Sequence, residues 1–287
     1  YEISECLVGS EMSIRDRLIA DHKSVDKQIH IFNKNDFSYL TSIGNFGEGP
    51  EEITVMGCLA IDEAHHQLYV SDHAKQKIFS YDMDSVMVDS LYKPQVKTAM
   101  NETLFPSEYQ YINDTLSIAV LIKPTSTSTF NQFLGRWNMN TGEMIPMKYT
   151  HPDIQKKRIT FAASEKAGIY VECYTRHDLM TICSLDGELL YNIYGPDWDG
   201  GNGNKLQSFG TVMIGNDKIF VSYCGEDYAR DSFPTKILVF DLEGNYLKTL
   251  ETGYKISDCC YDSFNNRIIL SLNDVVQFAY LDIDGII

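Results

Sequence analysis

The chain has 287 residues, 44% of them hydrophobic, which is ample for a large buried core. No run approaches the ~18 consecutive apolar residues of a membrane span. The net charge is −16 and Lys156-Lys157-Arg158 is the one run of three basic residues, which excludes duplex nucleic acid and anionic membrane surfaces as expected partners and favours cationic or neutral ligands.

Six times an apolar strand carries a hydrophobic or aromatic residue just ahead of a polar turn, at Phe32, Tyr81, Trp137, Cys183, Phe240 and Leu281. The steps between them are 49, 56, 46, 57 and 41 residues. Self-similarity at this period predicts an all-β, six-bladed β-propeller of four-stranded antiparallel blades, because one small sheet cannot bury both faces alone and must stack on its neighbours. The even spread of apolar runs predicts a single domain over residues 1–287.

In chain order, the first blade is predicted as Val8 to Ile14, Arg17 to His22, Gln28 to Asn33 and Phe37 to Ile43. The second is Gly57 to Asp62, Gln67 to Ser71, Lys77 to Asp82 and Val86 to Leu91. The third and fourth turn at Asn113-Asp114, Thr141-Gly142 and Asp186-Gly187. The fifth runs from Ser208 to Ile214 through Gly215-Asn216-Asp217 into Lys218 to Tyr223, then from Lys236 to Leu242 through Glu243-Gly244-Asn245 into Tyr246 to Leu250. Gly and Asn in such turns supply the positive φ that tight hairpins require. The sixth turns at Asn265-Asn266 and Asp284-Gly285 and stops two residues later, short of an outer strand. Tyr1 to Leu7, left over once the first blade is complete, is therefore expected to become that strand and clasp the ring. A start at Tyr1 rather than Met is compatible with earlier removal of a signal peptide or lipid anchor.

Gly44-Asn45-Phe46-Gly47-Glu48-Gly49-Pro50-Glu51-Glu52-Ile53 looks like the GxxGxGPxEF connector of NHL-type propellers. Leu68-Tyr69-Val70-Ser71-Asp72 with Lys77-Ile78-Phe79-Ser80-Tyr81-Asp82 resembles their YVxD … RIxxFD hairpin, and Ile237 to Asn245 echoes its second half. The chain is similar to TolB-like, NHL-repeat-related six-bladed propellers, found as exported envelope proteins of Gram-negative anaerobes. The resemblance implies a periplasmic or cell-surface location, with membrane contact only through a removed lipid anchor, and implies little about activity because the fold hosts unrelated functions.

Seven cysteines form an odd set with no CxxC and no Cys/His spacing suited to zinc; most fall in predicted strands and read as inert buried thiols. Gly44 to Pro50 lacks the Lys-Ser/Thr of a phosphate loop and reads as a sharp turn between blades. Pro196 to Gly203 holds Asp197, Trp198 and Asp199, a spacing that hints at calcium but lacks the twelve-residue loop and terminal Glu of an EF-hand. Asp72 is expected to bond loop N–H groups, with His73 beside it. His65 and His66 read as a solvated pair at the opposite end.

Connectors between blades share a face with the loops joining second to third strands. That rule collects Asp72, His73, Lys75, Arg176, His177, Trp198, Tyr228 and Arg230 on one rim, and the indole, phenol and guanidinium groups are types that dominate binding hot spots. The leading expectation is a non-catalytic binding module for a protein, peptide or glycan, using this face and the channel mouth, with no cofactor. The alternative is a calcium- or zinc-dependent hydrolase or lyase in the central channel. Against it, the inner strands offer residues such as Ala60, Tyr109, Ala162, Thr211 and Cys259 with few carboxylates, and no GxSxG or HExxH occurs. A purely structural spacer is a third reading.

Overall fold

The structure, a computed structural model, describes residues 16–286 apart from 90, 102, 127–128, 156, 203–205 and 228–231. It is built from strands in six separate antiparallel sheets, taken up strictly in chain order. The first holds β1 (Asp16–Ala20), β2 (Lys27–Asn33) and β3 (Tyr39–Asn45); the second β4 (Met56–Asp62), β5 (Gln67–Asp72), β6 (Lys77–Asp82) and β7 (Gln95–Ala99). The third holds β8 (Phe105–Asn113), β9 (Leu116–Pro124), β10 (Phe130–Trp137) and β11 (Met144–Pro146). In the fourth are β12 (Ile159–Ser164), β13 (Ile169–Tyr174), β14 (Leu179–Ser184) and β15 (Leu189–Tyr194). The fifth holds β16 (Leu206–Gly215), β17 (Lys218–Asp227), β18 (Lys236–Asp241) and β19 (Tyr246–Glu251), and the sixth β20 (Ile256–Asp262), β21 (Arg267–Leu272) and β22 (Phe278–Asp282). Sheets one to three belong to one compact unit and sheets four to six to another, divided between Pro146 and Met147.

Within each unit, sheets bury their faces against the next. In the first, Ala60, Tyr69 and Ile78 of the second sheet meet Tyr109, Leu121 and Trp137 of the third, with the Tyr109 and Trp137 rings edge-on at 5.1 Å. In the second unit, Val171 and Ile182 pack with Val212 and Val221, and Phe220 and Val239 with Tyr261 and Ile268. Strands β13 and β21 are buried at every residue, so they do not alternate apolar and polar positions, and the buried Glu172, Arg267 and Ser271 interrupt their otherwise apolar runs.

The fifth sheet matches its sequence reading closely, because Asn216 and Asp217 both take positive φ, +49° and +55°, giving the two-residue turn whose twist suits a hairpin. The outer strand of the second sheet does not match. The segment read as Val86 to Leu91 is instead helix α1 (Met83–Val88), and the outer strand follows as β7. Asp82 caps the helix by accepting the Ser85 N–H at 2.7 Å, and Met83 and Val86, one turn apart, are the residues it buries. Val88 and Leu91, the other large apolar residues at the end of that segment, are 86% and 82% exposed. The expected first strand at Val8 to Ile14 and the closing strand at Tyr1 to Leu7 lie outside the described residues. The described cysteines Cys58, Cys173, Cys183, Cys224, Cys259 and Cys260 are free thiols. All but the half-buried Cys58 are buried, and burial pushes the Cys58 thiol up to about 12.

Candidate functional site

In the four-stranded sheets the turn joining the second and third strands lies at the same end as the connector leaving the outer strand. The Gly195 N–H donates to the Asp178 carbonyl at 2.8 Å, Met100 to Gln76 at 2.8 Å, and Thr252 to Thr235 at 3.0 Å. These loop ends carry most of the residues singled out from the sequence, in two groups, one in each unit.

The first group is Asp72, His73 and Lys75. Asp72 is fully buried, and its carboxylate accepts the N–H groups of Thr54, Val55, Ala74 and Lys75 at 2.8 to 3.2 Å. It organises two loops at once. Lys75 does not face solvent as a free binding cation. Its ammonium lies 3.8 Å from the Asp72 carboxylate and donates to the carbonyls of Gly47, Gly49 and Glu52 at 3.3, 2.7 and 2.5 Å. The glycine-rich connector is thus wrapped around a lysine, with Gly47 at φ +157° and Gly49 donating its N–H to the Glu52 carboxylate at 2.8 Å. His73 packs its ring on Gly57, where a Cβ would come within 2.3 Å of Nε2, and burial holds its pKa below the ordinary value although Asp72 pulls it up.

The second group is Arg176, His177 and Trp198. Gly195 and Pro196 turn the chain away from β15, and Gly195 is required because a Cβ there would lie 2.1 Å from the Asp178 carboxylate. That carboxylate accepts the Asp197 N–H at 3.0 Å and so fixes the connector that presents Trp198. Burial raises the Asp178 pKa, opposed by that bond. The half-buried Trp198 ring is contacted by Tyr194 at 5.0 Å, His151 at 5.4 Å and His177 at 6.1 Å between centroids. His151 Nδ1 accepts the Asp153 N–H at 3.3 Å, so its proton resides on Nε2, which bonds the Tyr194 hydroxyl at 3.0 Å. Both imidazoles are buried and held below the ordinary histidine pKa by desolvation, His151 against the pull of Asp153 and His177 against that of Asp199. His177 Nδ1 stands 3.9 Å from Asp199 Oδ1, and neither atom has a hydrogen-bond partner. The corner therefore offers neutral rings with polar edges around one indole. Arg176 is half-buried beside it and makes contacts of its own.

Tyr228 and Arg230 lie outside the described residues. His65 and His66 are exposed but not merely solvated: His65 Nδ1 is 2.8 Å from the buried Asp62 carboxylate, and His66 Nδ1 is 3.2 Å from Asp84. The sequence reading missed His151, which stands in a connector without any motif, and the Lys157–Glu172 pair, 2.9 Å apart and almost wholly buried. Of the first strands, β20 contributes Asp258, whose carboxylate accepts the Thr211 hydroxyl at 2.6 Å. Among the described residues no group of three or more His, Cys, Asp or Glu side chains converges in a way that would hold a metal ion.

Residues 4–134 match a family, DUF5128, described as 6-bladed beta-propeller. No curated protein matches the chain. A member of the DUF4221 family from Bacteroides vulgatus is similar in structure, with TM-score 0.68 and 10% identity over 98% of this chain and 94% of that one. The extracellular domain of BT4673 from B. thetaiotaomicron gives TM-score 0.57 at 13% identity, over 92% of this chain and 32% of that one. A gluconolactonase from Xanthomonas campestris, XC5397, gives 0.56 at 14%, over 90% and 79%. Likeness at such low identity is likeness of fold. Together with the six antiparallel sheets, it makes this chain an all-β, six-bladed β-propeller.

Proposed function

We propose that the chain is a non-catalytic binding or interaction module that engages a peptide, glycan or partner protein with the loop end carrying Trp198. The observation that supports this reading is the Trp198 corner itself: an indole left half-exposed and immobilised by three rings, on a connector fixed through Asp178. A pre-ordered aromatic offers contact area while losing little conformational freedom on binding, the property that marks hot spots. An extracytoplasmic setting, periplasmic or cell-surface, is part of the proposal and rests on the resemblance of the Gly44 to Ile53 connector and the Leu68 to Asp82 hairpin to exported propellers.

The test is a screen of the purified protein against a glycan array and an envelope protein extract, followed by affinity measurements on variants. Trp198→Ala should cost ~2 kcal/mol, or about thirtyfold in affinity, while thermal unfolding shifts little. Joint replacement of His65 and His66, in the turn joining the first two strands of the second sheet, should leave affinity unchanged. Equal losses from both would refute the assignment of the binding face.

A further inference from the structure

We propose that His177 and Asp199 form a proton-operated latch on the connector that carries Trp198, open while His177 is neutral and closed when it takes a proton. The latch is a property of the free protein. Only its consequence for binding rests on the function proposed above.

The geometry is that of two groups set facing one another and left unjoined. His177 Nδ1 and Asp199 Oδ1 are both buried, both without a hydrogen-bond partner, and 3.9 Å apart. The separation is about 1 Å longer than a charge-assisted N–H···O bond. A neutral imidazole has little to gain by closing the gap. An imidazolium gains an ion pair with the carboxylate, and with the His177 side chain 8% and the Asp199 side chain 24% exposed the attraction is only partly screened.

The connector can respond. Its root is fixed by Asp178, which takes the Asp197 N–H on its carboxylate and the Gly195 N–H on its carbonyl. Just past Asp199, Gly200 and Gly201 hold φ of +71° and +85°, a conformation glycine adopts and leaves without steric cost. Asp199 thus sits between a fixed root and a permissive bend, next to Trp198, whose ring already leans on His177 at 6.1 Å. Protonation would draw Asp199 inward and also place a cation against the indole face, an attraction in its own right.

The groups facing His177 come from every neighbouring element. Asp199 on the following connector favours the proton; His151, on the connector ahead of β12, disfavours it. Tyr174 at the end of β13 packs its ring at 6.2 Å, and Asp178 in the same turn as His177 is committed to Asp197 and to the Tyr223 hydroxyl. Arg176, the preceding residue, is the charged neighbour along the chain and has interactions of its own. Burial outweighs Asp199, so the latch closes below the ordinary histidine value of 6.5.

The experiment follows Trp198 emission from about pH 7.5 to about pH 4.5, taken as the difference between the protein and Trp198→Phe so that the buried Trp137 cancels. An imidazolium against an indole quenches its emission, so a step with its midpoint below 6.5 is expected. Because His151 also packs on Trp198, at 5.4 Å, the assay is repeated in a His151→Gln background, where His177→Gln should abolish the step. His151→Gln should keep it and move it to higher pH. Asp199→Asn should lower the midpoint by roughly one unit or more, because a facing opposite charge is removed. The protection factor of the connector amides, that is, exchange corrected for its intrinsic slowing in acid, should rise as the pH falls in the native chain and stay constant in Asp199→Asn. A step that survives His177→Gln in the His151→Gln background, or a midpoint indifferent to Asp199→Asn, overturns the latch. Failure of the binding reading would show separately, as a Trp198→Ala variant that binds normally while the native titration remains.

Discussion

Replacing Lys75 by Met keeps the aliphatic stem and deletes the ammonium on which the connector between the first two sheets is wound. Two of its three carbonyl partners keep another donor: Gly47 the Thr54 hydroxyl at 2.8 Å, Gly49 the Glu52 N–H at 3.1 Å. The Glu52 carbonyl loses its charged partner, and Asp72, fully buried, loses a countercharge at 3.8 Å while keeping its four N–H bonds. One charged hydrogen bond and part of a buried ion pair amount to about 2–4 kcal/mol. At about 2.1 cal/mol/K per residue, unfolding of the whole chain carries about 0.6 kcal/mol/K, so a loss of about 3 kcal/mol lowers Tm by about 5 °C. If the unit ending at Pro146 melts on its own the shift doubles to about 10 °C, since roughly half the residues share the entropy. Calorimetry and urea titration of the variant measure both. The control is Lys166→Met, which breaks a pair with Asp217 at 3.3 Å in which both side chains are about 70% exposed, and which should change little. A Lys75→Met protein no less stable than that control would show that the carbonyl cradle is a consequence of the fold and not a support for it.

Two further outcomes are expected. Gly215→Ala should destabilise by about 1–3 kcal/mol, read from chemical denaturation, because its Cβ would come within 2.0 Å of the Tyr261 ring, itself stacked on Phe220 at 5.6 Å. Stability should also fall as the pH drops from 6.5 through the folded-state values of His73, His151 and His177. These rings are held neutral by burial, so the unfolded chain binds more protons in that window; Asp178, whose pKa is raised, acts in the opposite sense at lower pH. Tm measured across the window should flatten in a His151→Gln, His177→Gln double variant, and an unaltered slope would mean that other groups govern it.

What the sequence revealed follows the strength of its local signals. Gly215-Asn216-Asp217 between two apolar runs has one good solution, a tight hairpin, and the fifth sheet forms as read. Met83 to Leu91 carries two signals. Its valines suit a strand, but Asp82 followed by Ser85 offers a helix cap, and the cap prevails because the Met83 and Val86 spacing buries both residues on one helical face. The role of Asp72 was legible because an aspartate at a strand end has few things to do but bond the following N–H groups. Lys75 and His151 were not, since what each does depends on chain segments 23 to 43 residues away, Lys75 on the Gly47 to Glu52 carbonyls and His151 on Tyr194. Asp199 was noticed for its spacing among oxygen-bearing residues, while its actual neighbour, the His177 imidazole, comes from the preceding turn.

The lysine cradle also says something about how this loop end can diversify. Lys75 grips main-chain oxygens, which every amino acid possesses, and the side chains of the connector contribute to the grip only through Glu52 and Thr54. Exposed connector positions such as Phe46, Glu48 and Pro50 are therefore free to accept new side chains without loosening the clasp, whereas the buried Ile53, Gly49 against the Glu52 carboxylate, and Gly44 and Gly47 at φ +73° and +157° are not. A scaffold held by its backbone can rewrite the surface it shows to the world one residue at a time.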